Sequence, residues 1–220
     1  MSRIDVAAML ILCAGLVPSS VPADGPPSFK ARSTEAEYER TALDAYGMGY
    51  ALIERATRFD HDAAAAKEDR ARREAMRGAT ESFEDALRAF DEAVRLEPTM
   101  YEAHTYIGYA NRKLGHHERA LSAYETALRL KPDYARAIEY QGEAYLGLDR
   151  FDAAKFNYLR LYALDAEQAQ KLLGAMRAWV TERRRELRGV SSEHLDAAAA
   201  WTTNRPANEI EMRAGETAPW

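Results

Sequence analysis

Cys13 is the single cysteine among 220 residues, so the chain has no disulfide framework. Because Cys13 sits inside an N-terminal apolar run, a thiolate metal site and thiol catalysis are excluded from the body of the chain as well. That run, Val6 to Val17, is too short to cross about 30 Å of hydrocarbon as a helix. Basic residues are not in excess either. The 30 Lys and Arg against 35 Asp and Glu leave a formal net charge of −5, which gives nucleic acid no overall attraction. A glycine-rich phosphate loop, paired metal-binding histidines and a nucleophile signature are all missing. His116 and His117 are adjacent and do not project together from a helix, and His61 between Asp60 and Asp62 would need further ligands to converge. The sequence therefore does not read as an enzyme, and it calls for no cofactor and no metal.

The N-terminal run has a specific character. Arg3 precedes it, and Pro18, Ser19, Ser20 and a small-residue exit at Val21-Pro22-Ala23 follow it. This is the layout of a secretory signal peptide, residues 1–23, cleaved after Ala23. Leu12 before Cys13 lacks the small size that a lipoprotein cleavage signal needs. Cleavage would remove Arg3 and Asp5 together and leave the net charge unchanged. The short leader and the Ala- and Arg-rich usage point to a bacterial, exported and periplasmic protein.

Downstream, the sequence repeats itself every 34 residues. Phe83, His117 and Phe151 align, as do Ala86, Ala120 and Ala154, and Phe90, Tyr124 and Tyr158. Leu96, Leu130 and Leu164 follow in the same register, with Pro98 and Pro132 closing their units. Gly108 pairs with Gly142, Ala110 with Ala144 and Leu114 with Leu148. A period of this length at helical spacing means stacked helix hairpins. The small residues let helix backbones approach closely. Thr99, with Glu102 three residues on, has the form of a capping box, and Asp133 can cap the unit after Pro132.

These residues resemble the tetratricopeptide repeat, a helix-turn-helix unit with small residues at helix crossings, aromatics at inter-helix contacts and a closing proline. Two units, within 99–166, match almost throughout. They depart at Asn111, where an aromatic is usual, at Asp149, where the turn usually has glycine, and at Leu161 and Ala166. The resemblance implies an all-α fold: a right-handed superhelical array of antiparallel helix hairpins. It also implies that first-helix side chains line a concave groove, here Thr105, Tyr109, Arg112, Arg136, Glu139, Tyr140 and Glu143. Some members grip a terminal carboxylate with Lys and Asn on these helices. Thr105 and Tyr109 stand in two of those places, which disfavours that use.

Residues 34–98 are expected to form a divergent first hairpin behind a linker at 24–33. Ser33 or Thr34 can cap it, and Tyr38, Ala42, Ala45, Tyr46, Gly49, Tyr50 and Ile53 form its stripe. With Gly47 as counterpart of Gly108, the separation exceeds one repeat by 27 residues, although Gly49 could play the same part. The excess falls in a charged, alanine-rich insert from Glu54 to Ser82. Lengthening both helices by about 13 residues, or some 20 Å, would make a projecting arm with Asp60-His61-Asp62 at its tip. A third short helix ending at Gly78 is the competing arrangement. The charges suit a solvated spacer more than a binding arm.

After the repeats, Asp165 can cap a helix over 167–189 whose face carries Leu172, Leu173, Met176, Trp179 and Val180, the pattern of a C-terminal capping helix. Arg183, Arg184, Arg185 and Arg188 complement its dipole. The 190–220 tail has one short helical stretch, Ser192 to Trp201. The expected function is a non-catalytic interaction scaffold in the cell envelope, binding a peptide or protein segment in the groove. An accessory subunit of an envelope enzyme complex, docking through the charged hairpin, is the alternative.

Overall fold

Phe83, Phe90, Tyr124 and Tyr158 are almost wholly removed from solvent, each contributing about 1.5 to 3 kcal/mol by burial, and the helices are arranged around them. A computed structural model describes residues 27–186 and 190–203, with side chains from residue 41 onward. Its elements are α1 (Pro27–Ala65), α2 (Asp69–Leu96), α3 (Tyr101–Lys113), α4 (His117–Leu130), α5 (Ala135–Gly147), α6 (Phe151–Leu164), α7 (Ala166–Glu186) and α8 (Ser192–Thr203). All regular structure among the described residues is helical. α1 packs on α2, α3 on α4 and α5 on α6, and each pair then packs on the next. α7 closes α5 and α6, and α8 covers α7. The result is a solenoid of helix hairpins whose first helices neighbour one another along one layer.

Glycine sets the crossing in the first two hairpins, while Gly142 of α5 makes room for Leu172 of α7. A Cβ on Gly108 would collide with the Tyr124 ring, and one on Gly49 would lie 2.7 Å from Phe90. Gly47 has nothing within 4 Å. Gly49, not Gly47, is therefore the counterpart of Gly108, because Phe90 and Tyr124 are themselves 34 residues apart. In this register α1 runs 16 residues past Gly49 where α3 runs five past Gly108, and α2 begins 21 residues before Phe90 where α4 begins seven before Tyr124. Both helices of the first hairpin are lengthened, as the two-helix arm requires.

Details of that arm differ from expectation. Its turn is Ala66-Lys67-Glu68, and Asp60-His61-Asp62 lies within α1, because the alanines that follow favour helix and carry it onward. Arg72 closes the turn by donating to Ala66 O at 2.9 Å. Gly78 ends no helix. It lies inside α2, where an added Cβ would lie 2.9 Å from the Phe59 ring, so its lack of a side chain lets the arm's helices touch. At the other end α1 begins at Pro27 and takes in residues 27–33 of the expected linker, with Ser33 and Thr34 inside the helix. Proline suits a first helical position, since its missing N–H would lack a partner there anyway.

Two of the expected caps, at Thr99 and Asp133, are displaced by one residue. Met100 and Tyr134 hold the N-cap positions of α3 and α5, with no side-chain cap bond. The Thr99 hydroxyl donates instead to Glu97. Asp165 does cap α7, accepting from the N–H groups of Glu167 and Gln168, both at 3.0 Å. Asp149 adopts a φ of +58° in the turn that joins α5 to α6, and Gly115 a φ of +78° in the preceding unit. His117 packs over Gly147, as its alignment with Phe83 and Phe151 implies. Residues 1–26, 187–189 and 204–220, with the leader, Arg188 and most of the tail, lie outside the described residues.

Candidate functional site

First-helix side chains of three hairpins meet in a wall of tyrosines. Tyr50 of α1 packs edge-on to Tyr106 of α3 at 5.4 Å between ring centres, and Tyr46 reaches the same ring at 6.0 Å. Tyr106 contacts Tyr109 one turn on at 6.3 Å, and Tyr109 meets Tyr140 of α5 at 5.0 Å. Each contact crosses or follows the first-helix layer. Edge and tilted contacts of this kind add to area burial. Tyr50 is 40% exposed, while Tyr46, Tyr109 and Tyr140 are half-buried. Burial raises the phenol pKa of Tyr46, Tyr106 and Tyr140, so these three phenols are uncharged at physiological pH.

The two arginines expected in the groove have different environments. Arg112 lies over the rings of Tyr109 and Tyr140, at 5.2 and 5.6 Å, and pairs with Glu143 at 2.5 Å with only 17% of its side chain exposed. Burial, the largest single influence, lowers its pKa, but Glu143, Tyr124 and Tyr109 together outweigh it and the net direction is upward. Arg112 is thus committed to internal packing. Arg136 is exposed and donates from Nη1 to the Tyr106 hydroxyl at 2.8 Å. No carboxylate among the described residues forms an ion pair with it.

Thr105 and Glu139 are buried. The Thr105 hydroxyl donates to Tyr101 O at 2.8 Å, back along its own helix, and this Ser/Thr habit removes it from the surface. Glu139 hydrogen-bonds Glu143, and its carboxyl is pushed up to about 8 by burial, then by the Glu143 charge and that hydrogen bond, against the pull of Arg112 and Lys171. Of the seven expected groove residues, Tyr109, Arg112, Glu139, Tyr140 and Glu143 form one joined cluster, and Thr105 presents no surface. Arg136 alone is exposed as a charge.

Sequence reasoning missed Tyr46, Tyr50 and Tyr106. Tyr106 stands 34 residues before Tyr140, so the repeat register held that signal. Tyr46 and Tyr50 required the register of the first hairpin. Lys131 is another, donating to the Tyr101 hydroxyl at 3.1 Å and lying 4.7 Å from that ring's centre.

The tetratricopeptide repeat family matches residues 77–135 and 108–169 in overlapping units, the stretch that holds α3 to α6. Residues 77–169 of the chain are tetratricopeptide repeats. No curated protein matches the chain. Repeats of this family are protein-interaction modules and in general non-catalytic scaffolds, which suits a site made of aromatic area and hydrogen-bonding groups. Among the described residues, no helix is long and apolar enough to cross a membrane, and no group of three or more His, Cys, Asp or Glu could hold a metal ion.

Proposed function

We propose that this chain is a non-catalytic adaptor, exported to the periplasm or cell envelope, that holds an extended segment of a partner protein on its first-helix layer. The observation that carries this reading is Arg136, an exposed guanidinium on a tyrosine wall with a phenol, not a carboxylate, as its partner. Such a cation can bind a peptide carbonyl or carboxylate with directional hydrogen bonds, while Tyr50 and Tyr46 supply apolar area at small entropic cost. The export part rests on the Val6 to Val17 run and its Ala23 exit.

The test is affinity capture from native envelope extract with wild-type chain and with the Arg136→Ala/Tyr50→Ala variant, together with N-terminal sequencing of native material. Loss of the captured partner with the variant, and a mature N-terminus at Asp24, are expected. Capture that is undiminished by the variant but lost when the 60–77 arm is deleted would move the site to the charged hairpin. Native material beginning at Met1 would overturn export.

A further inference from the structure

Leu43 extends the tyrosine wall along α1. It stands 59 residues before Glu102, and Glu102 stands 34 before Arg136, so the three hold one position on the first helices α1, α3 and α5. Leu43 is 60% exposed, and Tyr50, two turns on along the same side of α1, is 40% exposed. The wall therefore runs from apolar side chains on α1 to a guanidinium on α5. Glu102, between them, has Lys131 nearby as a counter-charge.

Given the adaptor reading above, on which this rests, we infer that the held segment is proline-rich, lies in the polyproline II conformation and sets one acidic side chain on Arg136. Hydrogen bonding points to such a segment. The phenol O–H groups and the Arg136 guanidinium can donate, while the nearby carboxylates are taken: Glu143 by Arg112, Glu139 by burial and Glu102 by Lys131. Backbone N–H groups of a bound segment would find few acceptors, and proline has no N–H to satisfy. Its carbonyls, free of internal hydrogen bonds in polyproline II, are what the donors need. Spacing agrees. Packed helices lie about 8 to 10 Å apart, and one turn of polyproline II, three residues at about 3.1 Å, is about 9 Å. Every third residue of the segment then meets the next first helix. Edge-on and tilted rings, as at Tyr50 on Tyr106 and Tyr109 on Tyr140, present steps against which pyrrolidine rings can pack. Other ways of holding a segment fit less well. Strand addition needs a sheet edge, and all regular structure among the described residues is helical. A docked helix needs a continuous apolar stripe, which Glu102 and Arg136 break.

The test is fluorescence anisotropy of the full chain with labelled peptides of equal length: an oligoproline carrying one Glu, the same peptide with Gln, a Gly/Ser peptide with the same Glu, and an alanine-rich helical peptide with the same Glu. The oligoproline with Glu should bind at least about tenfold tighter than the Gly/Ser and alanine-rich peptides. Tyr50→Ala and Leu43→Ser should each erase that preference, and Leu43→Ser should keep wild-type circular dichroism because the side chain is already mostly in water. Arg136→Ala should erase the preference for Glu over Gln. Met76→Ala, 56% exposed on α2, should change neither. Equal binding of the Gly/Ser or alanine-rich peptide, or an oligoproline preference that survives Tyr50→Ala or Leu43→Ser, would overturn the proposal. If no peptide binds while native capture still depends on Arg136 and Tyr50, the proline-rich segment is wrong and the adaptor stands. If capture is indifferent to both residues, the adaptor surface is wrong and the proline-rich segment falls with it.

Discussion

Trp179 donates its indole N–H to the Asp149 carboxylate at 3.1 Å, joining the turn between α5 and α6 to the helix that closes the array. Arg183 donates to the same oxygen at 2.6 Å. Asp149 stands where the repeat usually has glycine, and its φ of +58° shows why glycine is usual there. The aspartate tolerates the left-handed conformation and its carboxylate accepts two hydrogen bonds, the one from Arg183 also an ion pair. Arg183 is therefore a specific tie between elements as well as a complement to the α7 dipole.

Three substitutions separate those contributions. Asp149→Ala keeps the strained φ and loses both bonds, and should cost about 2 to 3 kcal/mol. Asp149→Gly relieves the backbone and should cost about 1 kcal/mol. Asp149→Asn keeps the φ and an acceptor, and should cost least. Urea midpoints at constant slope measure the order, and a glycine variant less stable than the alanine one would contradict it.

Glu139 predicts a pH dependence with a definite sign. Its carboxyl is held up to about 8 in the fold, chiefly by burial, and lies near 4.3 in an unfolded chain, about the ordinary value. Between those values the folded state keeps a proton that the unfolded state has released. The stability present below about pH 4 is then lost as pH rises toward 8, with a slope approaching about 1.4 kcal/mol per pH unit. Glu139→Gln should flatten this slope and be more stable than wild type near pH 8, measured by denaturation at a series of pH values.

The fold was largely legible because small residues at helix crossings leave a periodic trace. Gly108, Gly142, Ala120 and Ala154 place α3 to α6 without any tertiary information. The first hairpin was not placed as well, since Gly47 and Gly49 are two residues apart and only the Phe90 ring distinguishes them. The arm's turn was misplaced because Asp60-His61-Asp62 has turn composition, while the helical drive of Ala63 to Ala66 comes after it. Thr99 and Asp133 fit a cap by type and missed it by one residue of chain geometry. In the site, the repeat register names which residues face the first-helix layer. It does not tell that Arg112 is spent on Glu143 and Arg136 is not, because that depends on side chains brought together from different helices.

The first-hairpin register has its own test. Gly49→Ala would drive a methyl into Phe90 and should cost about 1 to 3 kcal/mol. Gly47→Ala meets nothing within 4 Å and should stabilise α1 by about 0.5 to 1 kcal/mol, the helix propensity difference. Thermal melts of the two variants decide it, and the opposite order would restore Gly47 as the counterpart of Gly108.

The two arginines should separate stability from recognition. Removing Arg112 strips Glu143 of its ion pair at 2.5 Å and takes the nearest positive charge from buried Glu139. Arg112→Ala should therefore cost about 2 to 4 kcal/mol of fold stability, most of it the penalty of leaving the half-buried Glu143 carboxylate without its counter-charge. Arg136 is exposed and gives up one hydrogen bond to a phenol, so Arg136→Ala should change stability by less than about 1 kcal/mol. Partner affinity should move the other way, with Arg136→Ala weakening capture by about 1 to 2 kcal/mol and doing so less at high salt, where charge–charge attraction is screened. Titrating the captured partner against each variant at two ionic strengths, alongside urea denaturation, measures both axes. If Arg136→Ala leaves affinity and its salt dependence unchanged, the exposed guanidinium does not recognise the partner.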